Sequence, residues 1–367
     1  MRKVSDRSRI GIGVVGCGRV AMTRHLPVLD RMDGARILAV ADPDPHRRSE
    51  AADRYQVPRA AADVQEILDV PQLDVVAVCV PPAQHAEVVV AALRAGKHVF
   101  VEKPLALDLD ECDRMVNEVK ASGLRAAVGH SLRWHPHVRK LKADVDGGVL
   151  GEIRMLTTTF CGRADYAGPV PEWRKHPDLG GNTFFETGVH HLDLWRFLTG
   201  REVEEVSATA TTSGAWDEES SVVTGRLDAG VLAVTALAQG TTNTNQIEVV
   251  GDAACARSNP YRSDGLDRWS SLEYQGGLRN RARRGLGLIA ATPATVTRLR
   301  TGGVWMESFR AEWEDFLGAV RENRETKCPL HEGREAVRIV LAAIDSAIRG
   351  RPVPVVDAPR NGTVAGG

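Results

Sequence analysis

The chain has 367 residues, 43% of them apolar and 26% charged, which is ordinary for a folded globular protein and enough for two domains of roughly 100–200 residues each. A formal net charge of −1 leaves no bulk charge to draw the chain to nucleic acid or to a membrane surface. The six cysteines, at 17, 79, 112, 161, 255 and 328, form no CxxC pair. This weighs against a zinc site or disulfide framework and favours a reduced, cytoplasmic protein with no metal.

No stretch reaches the roughly 18 consecutive apolar residues of a membrane span. The opening MRKVSDRSRI lacks the apolar run of a signal peptide, and no solenoid-type repeat is visible.

The first third alternates apolar runs (IGIGVV, RILAVA, DVVAVCV, KHVFV, RAAVG) with amphipathic stretches such as 84–95 and 109–121. Strands alternating with helices predict parallel strands joined by crossovers, a doubly wound α/β sheet. Unbroken apolar strands fit a sheet covered on both faces. The first run leads into Gly16-Cys17-Gly18-Arg19-Val20-Ala21, a GxGxxA turn between strand and helix. Gly16 permits the tight turn, Gly18 lets backbone approach a pyrophosphate, and Ala21 allows close helix–strand packing. The helix N-terminus then faces the phosphates.

Asp42 ends the next strand, 21 positions beyond Ala21, where a carboxylate can accept from the adenosine ribose and repels the 2′-phosphate of NADP. NAD is therefore favoured, although Arg47 and Arg48 soften the preference. The competing reading is a plain glycine turn with a capping Asp. Two more stretches, Val80-Pro81-Pro82-Ala83-Gln84-His85 and Glu102-Lys103-Pro104, stand at the carboxyl ends of strands, where open α/β sheets bind ligands.

Beyond residue 130 the pattern changes. Helices are predicted near 135–145, 186–198, 306–323 and 332–349, and strands at 203–213, 221–228, 231–238 and 245–251 with tight turns between them. This reads as an α+β domain with an antiparallel sheet. We expect a dinucleotide domain over 1–130, a second domain over 131–356 and a disordered tail over 357–367. Segment 257–305 must hold elements that its mixture of Pro, Gly and Arg does not reveal.

With the glycine turn and Glu102-Lys103-Pro104 together, the chain resembles the glucose–fructose oxidoreductase / inositol dehydrogenase (Gfo/Idh/MocA) family from about residue 9 to 356. Pro81 and His85 match a CVPPxxH-like stretch of that family. Gly180-Gly181-Asn182 followed by Glu186-Thr187-Gly188-Val189-His190-His191-Leu192-Asp193 matches its GGG…DxGxHxxD motif. Phe316, the 332–349 helix, Gly350 and Val353 match its C-terminal pattern.

The resemblance implies a Rossmann domain followed by a mostly antiparallel open sheet that serves dimer or tetramer assembly. It implies hydride transfer between NAD(P) and a secondary alcohol or ketone of a small-molecule sugar, nucleotide sugar or cyclitol, at a site between the domains. It assigns Gly16, Gly18, Arg19, Val20, Asp42, Pro81, His85, Glu102 and Lys103 to the cofactor. Lys103 and His190 become the catalytic pair, and Glu186, Asp193 and Arg174 the substrate contacts. Two departures stand out: Glu186 replaces the family's Asp, and Asn182 its third glycine.

Histidine titrates near neutrality, and a desolvated lysine beside a cationic ring can also act as a base; the residues alone leave both open. Glu186, His190 and Asp193 lie four and three apart, sharing a face if the segment is a regular helix. His190 or His191 can equally pack in a core, and Lys103 can be a solvated loop lysine. Trp173-Arg174 and Arg133-Trp134 have surface or packing alternatives. The cluster Arg279, Arg281, Arg283 and Arg284 suits a solvated face better than a phosphate. Two other functions stay open: a redox-neutral NAD-dependent glycoside hydrolase, and a non-catalytic NAD(H)-binding regulator.

Overall fold

A computed structural model describes residues 9–163, 170–212, 219–262, 265–273, 277, 278, 282, 285, 286 and 303–355. The chain divides into two compact units. The first joins Met1–Pro136 to Arg298–Arg334, and the second joins His137–Thr297 to Glu335–Gly367.

The first unit is built on strands β1 (Ile10–Val15), β2 (Ala35–Ala41), β3 (Arg59–Ala61), β4 (Val75–Val78), β5 (His98–Glu102) and β6 (Ala126–Gly129). They form one sheet in the order β3-β2-β1-β4-β5-β6, every pair parallel. Every residue of β1 and of β4 is buried, as unbroken apolar strands require when helices cover both faces. The three-residue β3 was not expected. It is an edge strand with two of three residues exposed, so it carries no apolar run.

Local chemistry sets the helix ends. Asp44 caps the helix Pro45–Tyr55 by accepting from the His46 and Arg47 amides, and Asp108 caps Leu109–Ser122 by accepting from Glu111. The second of these helices stops at Gly123, whose φ is 68°. The helix Gly303–Glu322 belongs to this unit despite following the second in sequence. Its Phe309, Trp313 and Phe316 join the core beside Phe100 and Ile12.

The second unit carries β7 (Ile153–Gly162), β8 (Val203–Thr211), β9 (Ser220–Leu227), β10 (Leu232–Gln239), β11 (Thr244–Gly251), β12 (Ala254–Ser258), β13 (Leu266–Ser270) and β14 (Val353–Pro354). The sheet order is β13-β12-β11-β7-β10-β9-β8-β14. Only β7 and β10 pair in parallel among the described strands, giving the mostly antiparallel sheet expected. Within 257–305 the structure places the end of β12 and all of β13; Arg279, Arg281, Arg283 and Arg284 lie outside the described residues.

Burial alternates along β9 and β10, as in a sheet with one covered face. The helix Val189–Thr199 lies on the covered face, where the Trp195 indole N–H donates to Thr235 Oγ1 at 2.9 Å. Gly225 is needed opposite it, since a Cβ there would sit 2.3 Å from the Trp195 ring.

Candidate active site

The sheet of the first unit reverses its strand order between β1 and β4, where such sheets bind ligands at the strands' carboxyl ends. Gly16 has φ +91°, and a Cβ on it would meet the Cys79 carbonyl oxygen at 2.6 Å. Only glycine fits there. Gly18 is the opposite case, for a Cβ on it would have nothing within 4 Å among the described residues. Its backbone borders open space, which is what approach to a pyrophosphate needs. Arg19 and Val20 follow, half-buried, and Ala21 is fully buried.

Asp42 is 5% exposed. One carboxylate oxygen accepts from the Cys17 amide at 2.8 Å and the other from the Asp44 amide at 2.9 Å. The carboxylate is thereby tied to the glycine turn, where it favours a ribose diol over a phosphate. The Cys17 thiol, pushed up to about 12 by burial and the Asp42 charge, stays a neutral thiol in the turn. These residues fit NAD. Gly18→Val is expected to weaken NADH binding about tenfold or more while leaving the thermal midpoint near that of the parent, because the new side chain enters empty space. Fluorescence titration and a melt separate the two effects; unchanged affinity would remove the turn from the cofactor site.

The loops after β4 and β5 are pinned together by His85. Its Nδ1 lies 2.9 Å from the Pro104 carbonyl and 3.2 Å from that of Leu105, and its Nε2 lies 3.0 Å from that of Val80. The ring is fully buried, and burial holds its pKa below 6.5 against the pull of those carbonyls. His85 therefore shapes these loops from inside; a neutral imidazole carries one ring proton, so it donates either to the Pro104 side or to Val80. Pro81 is half-buried beside it, and the Lys103–Pro104 peptide is cis.

Glu102 turns inward. Its Oε1 lies 2.8 Å from His25 Nε2, and its Oε2 accepts from the Lys103 amide at 3.1 Å. Burial opposes its charge, yet the His25 hydrogen bond and the Lys103 charge hold its pKa below the usual carboxylate value. Lys103 itself is half-buried at the strand end. Arg133, 5% exposed, pairs with Glu332 at 2.7 Å, and Lys327 lies over the ring of the buried Trp134. These two residues are packing elements of the first unit.

In the second unit the structure brings Arg174 and Glu186 together. Arg174 Nη1 lies 2.7 Å from Glu186 Oε1, and the guanidinium lies 5.6 Å from the centre of the Trp173 ring. Gly181 permits this approach, since a Cβ on it would meet the Arg174 carbonyl at 2.3 Å. Asn182 Oδ1 accepts from the Phe185 amide at 2.8 Å. The side chain at the third glycine position thus closes the start of the following turn.

That turn, Phe184–Gly188, is wider than an α-helical one, with the Val189 amide bonded to the Phe184 carbonyl. His190 and Asp193, three apart, both lie in the α-helix Val189–Thr199 and share a face there, while Glu186 stands in the wide turn before it. Glu186 instead faces Arg174. His190 is half-buried, whereas Asp193 and His191 are 2% and 1% exposed. His191 is the core histidine: burial takes its pKa to about 4, and Phe160 packs 5.7 Å from it.

His25, Trp313 and Glu312 escaped sequence reading. His25 comes four residues after Ala21 in a second wide turn, Ala21–His25, and an inward-facing histidine there was the one local signal. Trp313 and Glu312 reach the site from nearly 300 residues away in sequence.

Residues 10–130 match a family model described as "Oxidoreductase family, NAD-binding Rossmann fold", and residues 142–355 match "Oxidoreductase family, C-terminal alpha/beta domain". The chain belongs to the Gfo/Idh/MocA oxidoreductase family. A myo-inositol 2-dehydrogenase of Thermotoga maritima is 33% identical over 229 residues, 61% of this chain and 66% of its own. An inositol 2-dehydrogenase of Rhizobium meliloti is 27% identical over 359 residues, 94% of this chain and 99% of its own. A solved levoglucosan dehydrogenase, in complex with NADH and L-sorbose, shares the fold with a TM-score of 0.79 at 20% identity, over 95% of this chain and 100% of that one.

As a Gfo/Idh/MocA member the chain is an NAD-binding oxidoreductase, which accounts for the glycine turn and Asp42. Among the described residues no helix is long and apolar enough to cross a membrane.

Proposed function

We propose that the protein transfers a hydride between NAD and a secondary alcohol or ketone carbon of a sugar, nucleotide sugar or cyclitol. The observation that carries this reading is the end of the first unit's sheet. There a backbone open at Gly18 and a lysine anchored by a buried carboxylate stand on strands of one parallel array. Relatives named as inositol dehydrogenases supply the substrate class.

Bound NAD supplies the hydride acceptor. In the oxidation direction the substrate carbon loses a hydride and its hydroxyl loses a proton. We assign that proton to His190, a half-buried imidazole able to take and give a proton, with Lys103 on the substrate oxygen and the nicotinamide ribose. Arg174, held by Glu186, and Asp193 are assigned to the substrate hydroxyls. The longer Glu186 reaches a guanidinium, so we give it the task of presenting Arg174. Arg19, Val20 and Pro81, half-buried at the same strand ends, are assigned to the cofactor.

We also read the protein as a cytoplasmic homodimer or homotetramer. Leu232 and Met155 are register partners on the outer sheet face, where Val222 is also exposed; their exposures are 53%, 36% and 47%. An apolar sheet face left exposed among the described residues suits a second copy.

The test is NADH formation by purified protein across inositols, hexoses and nucleotide sugars. We expect reduction of NAD with at least one of them. Release of an aryl leaving group with no net NADH would replace this reading by the redox-neutral hydrolase. NAD binding with no exchange on any polyol would replace it by a regulator.

A further inference from the structure

We propose that His25 and Trp313 are positioning residues for Lys103, acting through the Glu102 carboxylate. The inference rests on the proposed function above and deepens it. Three hydrogen bonds run in one direction. The Trp313 indole N–H can only donate, and it donates to His25 Nδ1 at 3.0 Å. A nitrogen that accepts carries no proton, so the ring proton sits on Nε2. That proton is donated to Glu102 Oε1 across 2.8 Å. Glu102 Oε2 then accepts the Lys103 amide at 3.1 Å. Each tautomer and each carboxylate oxygen is therefore assigned by the one before it.

The surroundings allow little else. His25 and Trp313 are fully buried, and Glu102 is 7% exposed. Phe100 and Phe309 stand edge-on to the imidazole at 5.4 and 5.3 Å, and Phe100 stacks on Trp313 at 4.4 Å. The ring is thus prevented from turning. The chain of bonds also links three distant pieces: the helix that follows the glycine turn, the end of β5, and the helix Gly303–Glu322. A buried carboxylate with polar partners is a poor source of stability compared with apolar packing. Its physical advantage is direction: it holds the residue that carries the ammonium in fixed register with the pyrophosphate turn.

The test uses the full-length protein with its best polyol and three variants. His25→Gln keeps a donor for Glu102 and an acceptor for the indole, and is expected to retain kcat within about threefold. His25→Leu keeps the volume and loses both bonds, and is expected to lose kcat about tenfold or more with NADH affinity and substrate KM little changed. Trp313→Phe removes one N–H from a well-packed ring and is expected to fall between them, which keeps the test open if His25→Leu does not fold. In the parent protein, selective nitrogen-15 labelling of histidine is expected to show His25 protonated on Nε2 and bare on Nδ1.

Wild-type kcat in folded His25→Leu or in Trp313→Phe, with only the melting point lowered, would reduce the array to core packing and overturn the proposal. So would a His25 proton on Nδ1. Should the parent protein reduce NAD with no polyol, the proposed function fails by itself. The array then stands or falls on the His25 tautomer, protonated on Nε2 if the bonds run as described and on Nδ1 if they do not.

Discussion

Lys103→Met and His190→Ala are each expected to lower kcat by about 10²–10⁴-fold, the range for loss of a positioned proton-transfer group, while NADH affinity stays within a few-fold of the parent. Methionine matches the length of lysine and removes the charge. The Lys103 amide still reaches Glu102 Oε2, so the strand end keeps its anchor. Gly16, Gly18 and Asp42, proposed to bind the cofactor, lie at other strand ends and are untouched. His190 is half-buried, so its truncation leaves no large cavity.

The contrast is with its neighbour. His191 is 1% exposed, and its pKa of about 4 keeps it neutral across the physiological range, so replacing it should cost stability and not proton transfer. Steady-state kinetics with the best polyol and NADH titration by fluorescence decide the matter. Turnover near the parent value in both Lys103→Met and His190→Ala would end the dehydrogenase assignment of these residues.

Glu312→Gln is expected to make the protein more stable at neutral and alkaline pH, by a margin that grows with pH. Glu312 is 2% exposed in the first unit, and neither carboxyl oxygen has a hydrogen-bond partner among the described residues. Burial, and then the charge of Glu102, push its pKa well above 4.5. Of the two buried carboxyls, Glu102 is the one whose surroundings favour the charge, through the hydrogen bonds it receives.

In the unfolded chain Glu312 releases its proton near the ordinary 4.5. Between that value and its raised folded pKa the unfolded state binds fewer protons than the folded one. Stability therefore falls as pH rises, by at most about 1.4 kcal/mol per pH unit for a single group. Glutamine fills the same space and has no proton to lose, so this slope vanishes in the variant. Urea unfolding of both proteins at several pH values above the ordinary carboxylate range reads the difference directly. A difference that does not change with pH would mean that Glu312 is already ionised in the folded protein.

Much of the cofactor half was legible because its signals are local. A strand buried on both faces must be an unbroken apolar run, as β1 and β4 are. A tight turn with φ +91° must be glycine, and a carboxylate at the end of β2 lies one crossover from that turn. The strand-end position of Lys103 followed in the same way from the KHVFV run before it.

What the tertiary structure alone decided concerns groups whose partners are remote in sequence. The helix Gly303–Glu322 shows an ordinary amphipathic period, and nothing in that period says which unit it joins. Where Glu102 points depends on His25, and the His25 tautomer depends on an indole 288 residues away. The β3 edge strand is too short to have a pattern, and the partner of Glu186 is Arg174, on a separate segment twelve residues earlier. Periodicity and turn chemistry are properties of neighbouring residues, so the sequence by itself determined the sheet and its glycine turn. Partner choice among buried polar groups depends on long-range packing, and only the folded chain settled it.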